Sequence, residues 1–202
     1  DSVNPESLTI TTGANVINIY YTKRNDLSYT VNYLEKDTDK VLHEAKVVEN
    51  KTFEEVVTSS DEIIEIEGYN YDSVNPETLV VGTNENVINI YYTKRNDLNY
   101  TVNYIDKESK ENIKESKIVE NKTYGDIVKS SEEKVEIYGY DYDSIDPEEL
   151  IIGTSENTIN IYYIKKNSTV IVKHLEEGTE QQISENVVIT GKVGEKYKAE
   201  IA

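Results

Sequence analysis

The chain has no cysteine, methionine or tryptophan, one phenylalanine (Phe53), two histidines (His43 and His174) and three prolines in 202 residues. Without cysteine there is neither a disulfide framework nor a thiolate metal site. Cysteine and methionine are the side chains that climb the oxidation ladder, so their absence suits exposed, oxidising surroundings, although compositional drift produces the same pattern. Positive charge is scarce as well: 21 Lys and Arg stand against 39 Asp and Glu, a formal charge of −18. Nucleic acid needs clustered Lys and Arg over its phosphates, so the balance argues against that partner and against anionic lipid. It favours solubility and self-repulsion, both useful in a crowded array. No apolar run approaches the ~20 residues that span a bilayer, and no leader segment is seen, so an export signal and a wall anchor are expected outside these residues.

What the chain has in quantity is tyrosine, 17 copies, and self-similarity. Asp1-Ser-Val-Asn-Pro-Glu6 recurs unchanged from Asp72 to Glu77, and as Asp143-Ser-Ile-Asp-Pro-Glu148. The stretch from Asn15 to Leu27 returns identically from Asn86 to Leu98, and in altered form from Asn157 to Lys166. Both markers set a period of 71 residues. Solenoid repeats run roughly 20 to 50 residues, whereas this unit is long enough for a small core of its own. The expectation is therefore beads on a string, with short linkers at 94–99 and 165–168. Strands of about eight residues rising ~3.3 Å each would give a module on the order of 30 Å long, and the array an elongated rod.

Within a unit the pattern is mostly period two. Residues 29–34 alternate as a half-buried strand with Tyr29, Val31 and Tyr33 on one face. A polar turn over 35–40 leads to a second strand at 41–49. Thr52-Phe-Glu-Glu55 reads as a capping box and predicts a short helix over 53–59, while Thr123-Tyr-Gly-Asp126 has Asp for Glu and an added Gly. Further strands are expected at 63–66, 78–81 and 87–93. In the last, Val87, Asn89 and Tyr91 face one way and Ile88, Ile90 and Tyr92 the other. The fold class is α+β, one short helix covering a mixed sheet.

The order of these pieces has a parallel. An opening strand Tyr100-Thr-Val-Asn-Tyr104 precedes a charged turn and a second strand. A turn such as Gly191-Lys-Val-Gly-Glu-Lys-Tyr197 follows, then Gly139-Tyr140, Leu150-Ile-Ile-Gly153 and a closing Asn160-Ile-Tyr-Tyr-Ile-Lys165. This resembles the mucin-binding protein (MucBP) repeats of Gram-positive surface adhesins over nearly the whole chain. The resemblance implies tandem β-grasp, ubiquitin-like modules, and an extracellular, cell-wall-anchored protein that binds host mucin-type glycoprotein or another surface ligand. The alternative it leaves open is a structural stalk that projects a distal adhesin. Asn50-Lys51 and Asn121-Lys122 depart from Gly191-Lys192, and the Asp-Ser-Val-Asn-Pro-Glu insert is not expected of the family. In this reading residues 1–26 are the C-terminal half of a preceding repeat, 27–97 and 98–167 are complete repeats, and 168–202 are the N-terminal half of a following one. A permuted division into 1–71, 72–142 and 143–202 is the rival. The two end halves are complementary, which predicts head-to-tail self-association between chains.

No catalytic site can be assembled. His43 and His174 occupy non-equivalent positions, and His174 replaces the strand tyrosine of Tyr33 and Tyr104 after a one-residue deletion. The acidic turn 35–39 lacks the glycine of a calcium loop, and its counterpart 106–109 loses the spacing, so no metal and no cofactor are expected. A Lys–Asn isopeptide crosslink needs a buried Lys, Asn and acid together, and no pattern here singles one out. The candidate ligand-binding residues are Tyr69, Tyr71, Tyr140 and Tyr142. In Gly68-Tyr-Asn-Tyr71 and Gly139-Tyr-Asp-Tyr142 two rings at i and i+2 share a face, able to stack on sugars through an apolar body and a polar tip. The alternative is that one ring fills the core and the other packs on the adjoining segment. Mucins are acidic, so attraction by net charge is not the means of binding.

Overall fold

A computed structural model describes residues 1–198, which fall into two compact units, one over Asp1–Lys94 and one from Arg95 onward. The first contains β1 (Ser2–Asn4), β2 (Asn18–Tyr20), β3 (Leu27–Glu35), β4 (Val41–Lys51), β5 (Val56–Thr58), β6 (Tyr69–Asn75), β7 (Thr78–Val80) and β8 (Val87–Lys94). The second contains β9 (Leu98–Asp106), β10 (Asn112–Lys122), β11 (Ile127–Lys129), β12 (Tyr140–Asp146), β13 (Glu149–Ile151), β14 (Thr158–Lys165), β15 (Asn167–Leu175) and β16 (Gln182–Lys192). In each unit one four-stranded mixed sheet dominates, ordered β4-β3-β8-β6 in the first and β10-β9-β14-β12 in the second. The central pairs β3–β8 and β9–β14 are parallel, with Val31 beside Ile88 and Val102 beside Ile159, and the flanking pairs are antiparallel. The small sheets β5–β7 and β11–β13 complete the two modules.

Alternation decides which face is buried. Leu27, Tyr29, Val31 and Tyr33 of β3 are buried with Ile88, Ile90 and Tyr92 of β8, and the residues between them are not fully buried. A one-residue slip would turn this whole set to solvent, so the register is strongly specified. The equivalent cluster in the second unit is Leu98, Tyr100, Val102, Tyr104, Ile159, Ile161 and Tyr163, with Leu150 and Ile152. Fully burying each aliphatic side chain contributes roughly 1.5–3 kcal/mol.

The expected helix is not there, and the α+β assignment is corrected with it: the described residues contain no α-helix, only 3-10 turns at Ser59–Glu62 and Ser130–Glu133. The helix-crossed sheet of the β-grasp expectation is thus not found. The Thr52 signal is real but closes a turn. Glu55 accepts from the Thr52 N–H at 2.9 Å, and the Glu55 N–H donates to the Thr52 carbonyl at 2.9 Å. Thr123 and Asp126 repeat this at 3.1 and 3.0 Å, and Lys192 and Glu195 at 2.8 and 3.1 Å. The third residue of the turn has positive φ (Glu54 65°, Gly125 81°, Gly194 90°), which stops a right-handed helix at its first turn. The glycine at 125 therefore suits the turn, as the Gly of Gly191-Lys-Val-Gly194 does. The strand expected at 63–66 is also absent; Ile63, Ile64 and Ile66 lie irregularly against the core.

Tyrosine explains how an irregular segment can cover a sheet. A buried backbone without helical bonds needs other partners. Tyr92 donates its hydroxyl to the Ile64 carbonyl at 2.9 Å, and Tyr33 to that of Glu62 at 3.3 Å. Tyr163 does the same for Val135 at 2.8 Å. Tyr29 donates to the Glu62 carboxylate at 2.7 Å, which also holds Lys46 at 2.6 Å; Tyr100, Glu133 and Lys117 repeat the arrangement at 2.8 and 2.6 Å. Each ring fills the core while its hydroxyl ties down the cover, which phenylalanine could not do.

Candidate functional site

The four candidate tyrosines lie on β6 and β12, edge strands of their sheets. Gly68 and Gly139 lead into these strands at φ 78° and 80°. At Gly139 a Cβ would also come within 2.9 Å of Val193 Cγ1, so the position needs glycine twice over. Tyr71 pairs with Tyr92 across β6–β8, and Tyr142 with Tyr163 across β12–β14. A bulge follows immediately, and Asp-Ser-Val-Asn75 and Asp-Ser-Ile-Asp146 finish the two edge strands, ending in the cis peptides Asn75–Pro76 and Asp146–Pro147. Lys36 pairs with Asp72 at 2.7 Å, and Lys107 with Asp143 at 2.5 Å, fixing edge strand to turn.

The two rings of each pair have different surroundings. Tyr69 and Tyr140 are half-buried against the cores, and the Tyr140 hydroxyl donates to Asp106 Oδ2 at 3.3 Å. Tyr71 and Tyr142 are nearly half exposed. They meet the buried rings of Tyr92 and Tyr163 edge-on, at 6.3 and 6.4 Å between centroids. Lys134 Nζ stands 3.6 Å from the Tyr142 centroid; the matching residue in the first unit is Ile63. Of each candidate pair, then, one ring is exposed, not two, and in the second unit Lys134 lies over it.

In the second unit a groove of about 730 Å³ runs past Tyr138, Tyr140 and Tyr142 to Lys166, Asn167 and Val193. Tyr138 is 98 % exposed and stands where the first unit has Glu67. Sequence reasoning did not single out Tyr138, Lys166 or Val193. The available signal was the departure from the repeat at Tyr138. Lys166 Nζ lies 3.4 Å from Asp141, and Glu136 also lines the groove, so it carries both charges.

The acidic turns serve themselves. Asp106 is buried and accepts from the Glu108 and Ser109 N–H groups at 2.9 and 3.3 Å. Those backbone bonds hold its carboxyl below the usual range, against the opposing effect of desolvation. In the first unit Glu35 accepts from Thr38 Oγ1 at 3.1 Å. Among the described residues no group of three His, Asp or Glu is placed to hold a metal ion. His43 packs edge-on against Tyr33, 5.4 Å between centroids, and His174 is half-buried on β15. Burial raises the Tyr100 hydroxyl to about 12, with Glu133 adding to it, so this hydroxyl is a fixed donor at neutral pH.

No family model and no curated protein matches the chain. Among solved structures it is similar to one described as the crystal structure of Mub-RV, and to the type 2 repeat of the mucus binding protein MUB from Lactobacillus reuteri. Each is 12% identical to this chain and the matches cover 69% of it, with 99% and 100% of the other chain and TM-scores of 0.25 and 0.26.

Proposed function

We propose that this chain is part of the non-enzymatic repeat region of an extracellular bacterial surface adhesin, anchored to the cell wall by sequence outside these residues. Residues 27–97 and 98–167 act as its modules and repeat one weak contact with a mucin-type glycoprotein or another surface ligand. The observation that carries this reading is that the same interactions recur in both units at the repeat spacing, so any binding surface is presented more than once. Tyr71 and Tyr142 are the rings offered to a sugar face, with Tyr69 and Tyr140 as their inner supports. Linking such sites converts weak contacts into avidity without new contacts.

A spacer role is the second reading, favoured by a specific observation: Tyr33, Tyr92, Tyr104 and Tyr163 are among the largest fully buried side chains, so much of the tyrosine builds the core. Binding to a mucin-coated surface and to a panel of neutral and acidic glycans separates the two. The adhesin reading expects retention that falls when Tyr71 and Tyr142 are both changed to alanine. Absence of any retention at high protein concentration leaves the spacer.

A further inference from the structure

The four-stranded sheet of each module has a second face, turned away from the core. From Ser28 to Leu34 and from Val87 to Thr93 every other residue points to it, and each is partly or fully exposed. The same holds from Asn99 to Ile105 and from Thr158 to Ile164. Charged residues ordinarily fill solvated positions, and they make up 30% of this chain, yet none of these outward residues is charged. Asparagine stands at the middle of the central strands instead, although its amide competes for the backbone and strands are depleted in it. Asn32 donates to Asn89 Oδ1 at 2.8 Å, and Asn103 to Asn160 Oδ1 at 2.9 Å. The register continues each pair to the edge strand, to Asn75 in the first module and Asp146 in the second. Adjacent strands lie ~4.8 Å apart, so each row crosses about 10 Å of open surface. The next row carries a ring: Tyr91 lies between Leu34 and Ser73, and Tyr162 between Ile105 and Ser144. Among the described residues, the Nδ2 groups of Asn89 and Asn160 and the hydroxyls of Tyr91 and Tyr162 have no hydrogen-bond partner. A residue type that works against its own element, present in both modules and left with free donors, marks a site more than a scaffold.

We infer that this open face of each module binds an uncharged sugar chain laid across the strands. The amides offer donors and acceptors side by side to sugar hydroxyls, and the tyrosine adds an apolar body with a polar tip. Charge selects the occupant. A second copy or an acidic glycan brings negative charge to a chain of −18, and in the second module to Asp146 itself, whereas a neutral sugar meets no such repulsion. Lys110 Nζ, 5.6 Å from the Tyr162 centroid, belongs to an exposed side chain that is able to swing aside. The face is flat, so a single contact is weak and repetition supplies the avidity. The inference rests on the adhesin reading but not on Tyr71 and Tyr142, whose registered partners Tyr92 and Tyr163 put them on the opposite face.

Binding of the whole chain to an immobilised neutral N-acetyllactosamine oligomer, and to the same oligomer ending in a carboxylated sugar, tests this. The parent should bind the neutral oligomer, and the acidic one no more tightly. Asn89→Thr with Asn160→Thr should lower the apparent affinity about tenfold or more, and Tyr91→Thr with Tyr162→Thr should do likewise. Threonine suits strands, so the asparagine variant should resist denaturant at least as well as the parent. Either variant binding like the parent overturns the inference and leaves the adhesin reading standing, as does tighter binding to the acidic oligomer. A less stable asparagine variant whose folded fraction binds undiminished would reduce the amides to a structural role. Self-association of the parent that the asparagine substitutions abolish would give the face to a second copy instead. A parent retained by a mucin-coated surface but not by the neutral oligomer also overturns the inference; one retained by neither sinks the adhesin reading with it.

Discussion

Residues 27–94 and 98–165 are two versions of one module; many of their differences lie in turns and rims, and those inside, such as Val81 against Ile152 and Ile64 against Val135, keep an aliphatic side chain. The parallel strand pair, the tyrosine hydroxyls on the covering segment and the Glu–Lys–Tyr groups at Glu62 and Glu133 are common to both. So is a loop asparagine. Asn86 accepts from the Gly82 N–H at 2.8 Å and donates to the Ser28 carbonyl at 2.9 Å, and Asn157 bonds to Gly153 and Asn99 at 2.8 and 3.0 Å. The modules part where Gly125 replaces Glu54 at positive φ, where Asp106 replaces Glu35, and where Tyr138 replaces Glu67. A shared core tolerates such changes because none of them alters the side chains that set register.

The largest expected effect breaks the equivalence at its centre. Ile161→Ala removes a fully buried side chain and should cost about 4 kcal/mol, within the 2–5 kcal/mol typical of such truncations. Hydrogen exchange followed at single amides should show lost protection in 98–165 and unchanged protection in 27–94. Equal loss in both would mean that the modules unfold as one. Next is Tyr100→Phe, which deprives the mostly buried Glu133 carboxylate of a donor and should cost about 2 kcal/mol in denaturant unfolding. Tyr29→Phe should do the same through Glu62, and a clear inequality between the two would set the modules apart.

The pH arms sharpen the comparison further. The Tyr100 pKa is raised, so its contribution is full below the ordinary value of about 10 and is lost as pH rises towards about 12. Tyrosinate absorbance should show this hydroxyl titrating late, as the module opens. Asp106 is shifted the other way: its contribution is full above an unfolded value of about 4 and fades as pH falls through its lowered folded value. Asp106→Asn should therefore weaken residues 98–165 near neutral pH and flatten their loss of amide protection in acid, leaving 27–94 unaltered. The smallest effect is at the turn. Gly125→Ala meets no atom within 4 Å, so its cost of about 1 kcal/mol is backbone strain alone, and Glu54→Gly should change stability in the opposite direction.

The period of 71 residues, the strands at 29–34 and 87–93 and the facing of their side chains were legible because alternation and repetition are local properties of the chain. The Thr52 signal was legible too, but its outcome was not. A carboxylate reaching back to an N–H starts a helix or closes a turn, and only the φ of Glu54 and the packing of 59–66 decide which. The candidate rings were legible to the same degree: Gly68-Tyr-Asn-Tyr71 marked two rings on one face. That Tyr69 goes inward and Tyr71 stays at the rim depends on neighbouring strands. The sequence by itself determined the repeat, the acidic surface and the buried stripe of β3 and β8, since each follows from residue order. Only the tertiary structure decided that tyrosine hydroxyls would take the place of helical hydrogen bonds over the sheet. That exchange requires Tyr33 and Tyr92 to meet the carbonyls of Glu62 and Ile64 across 28 or more residues of chain, a distance over which local pattern carries no signal.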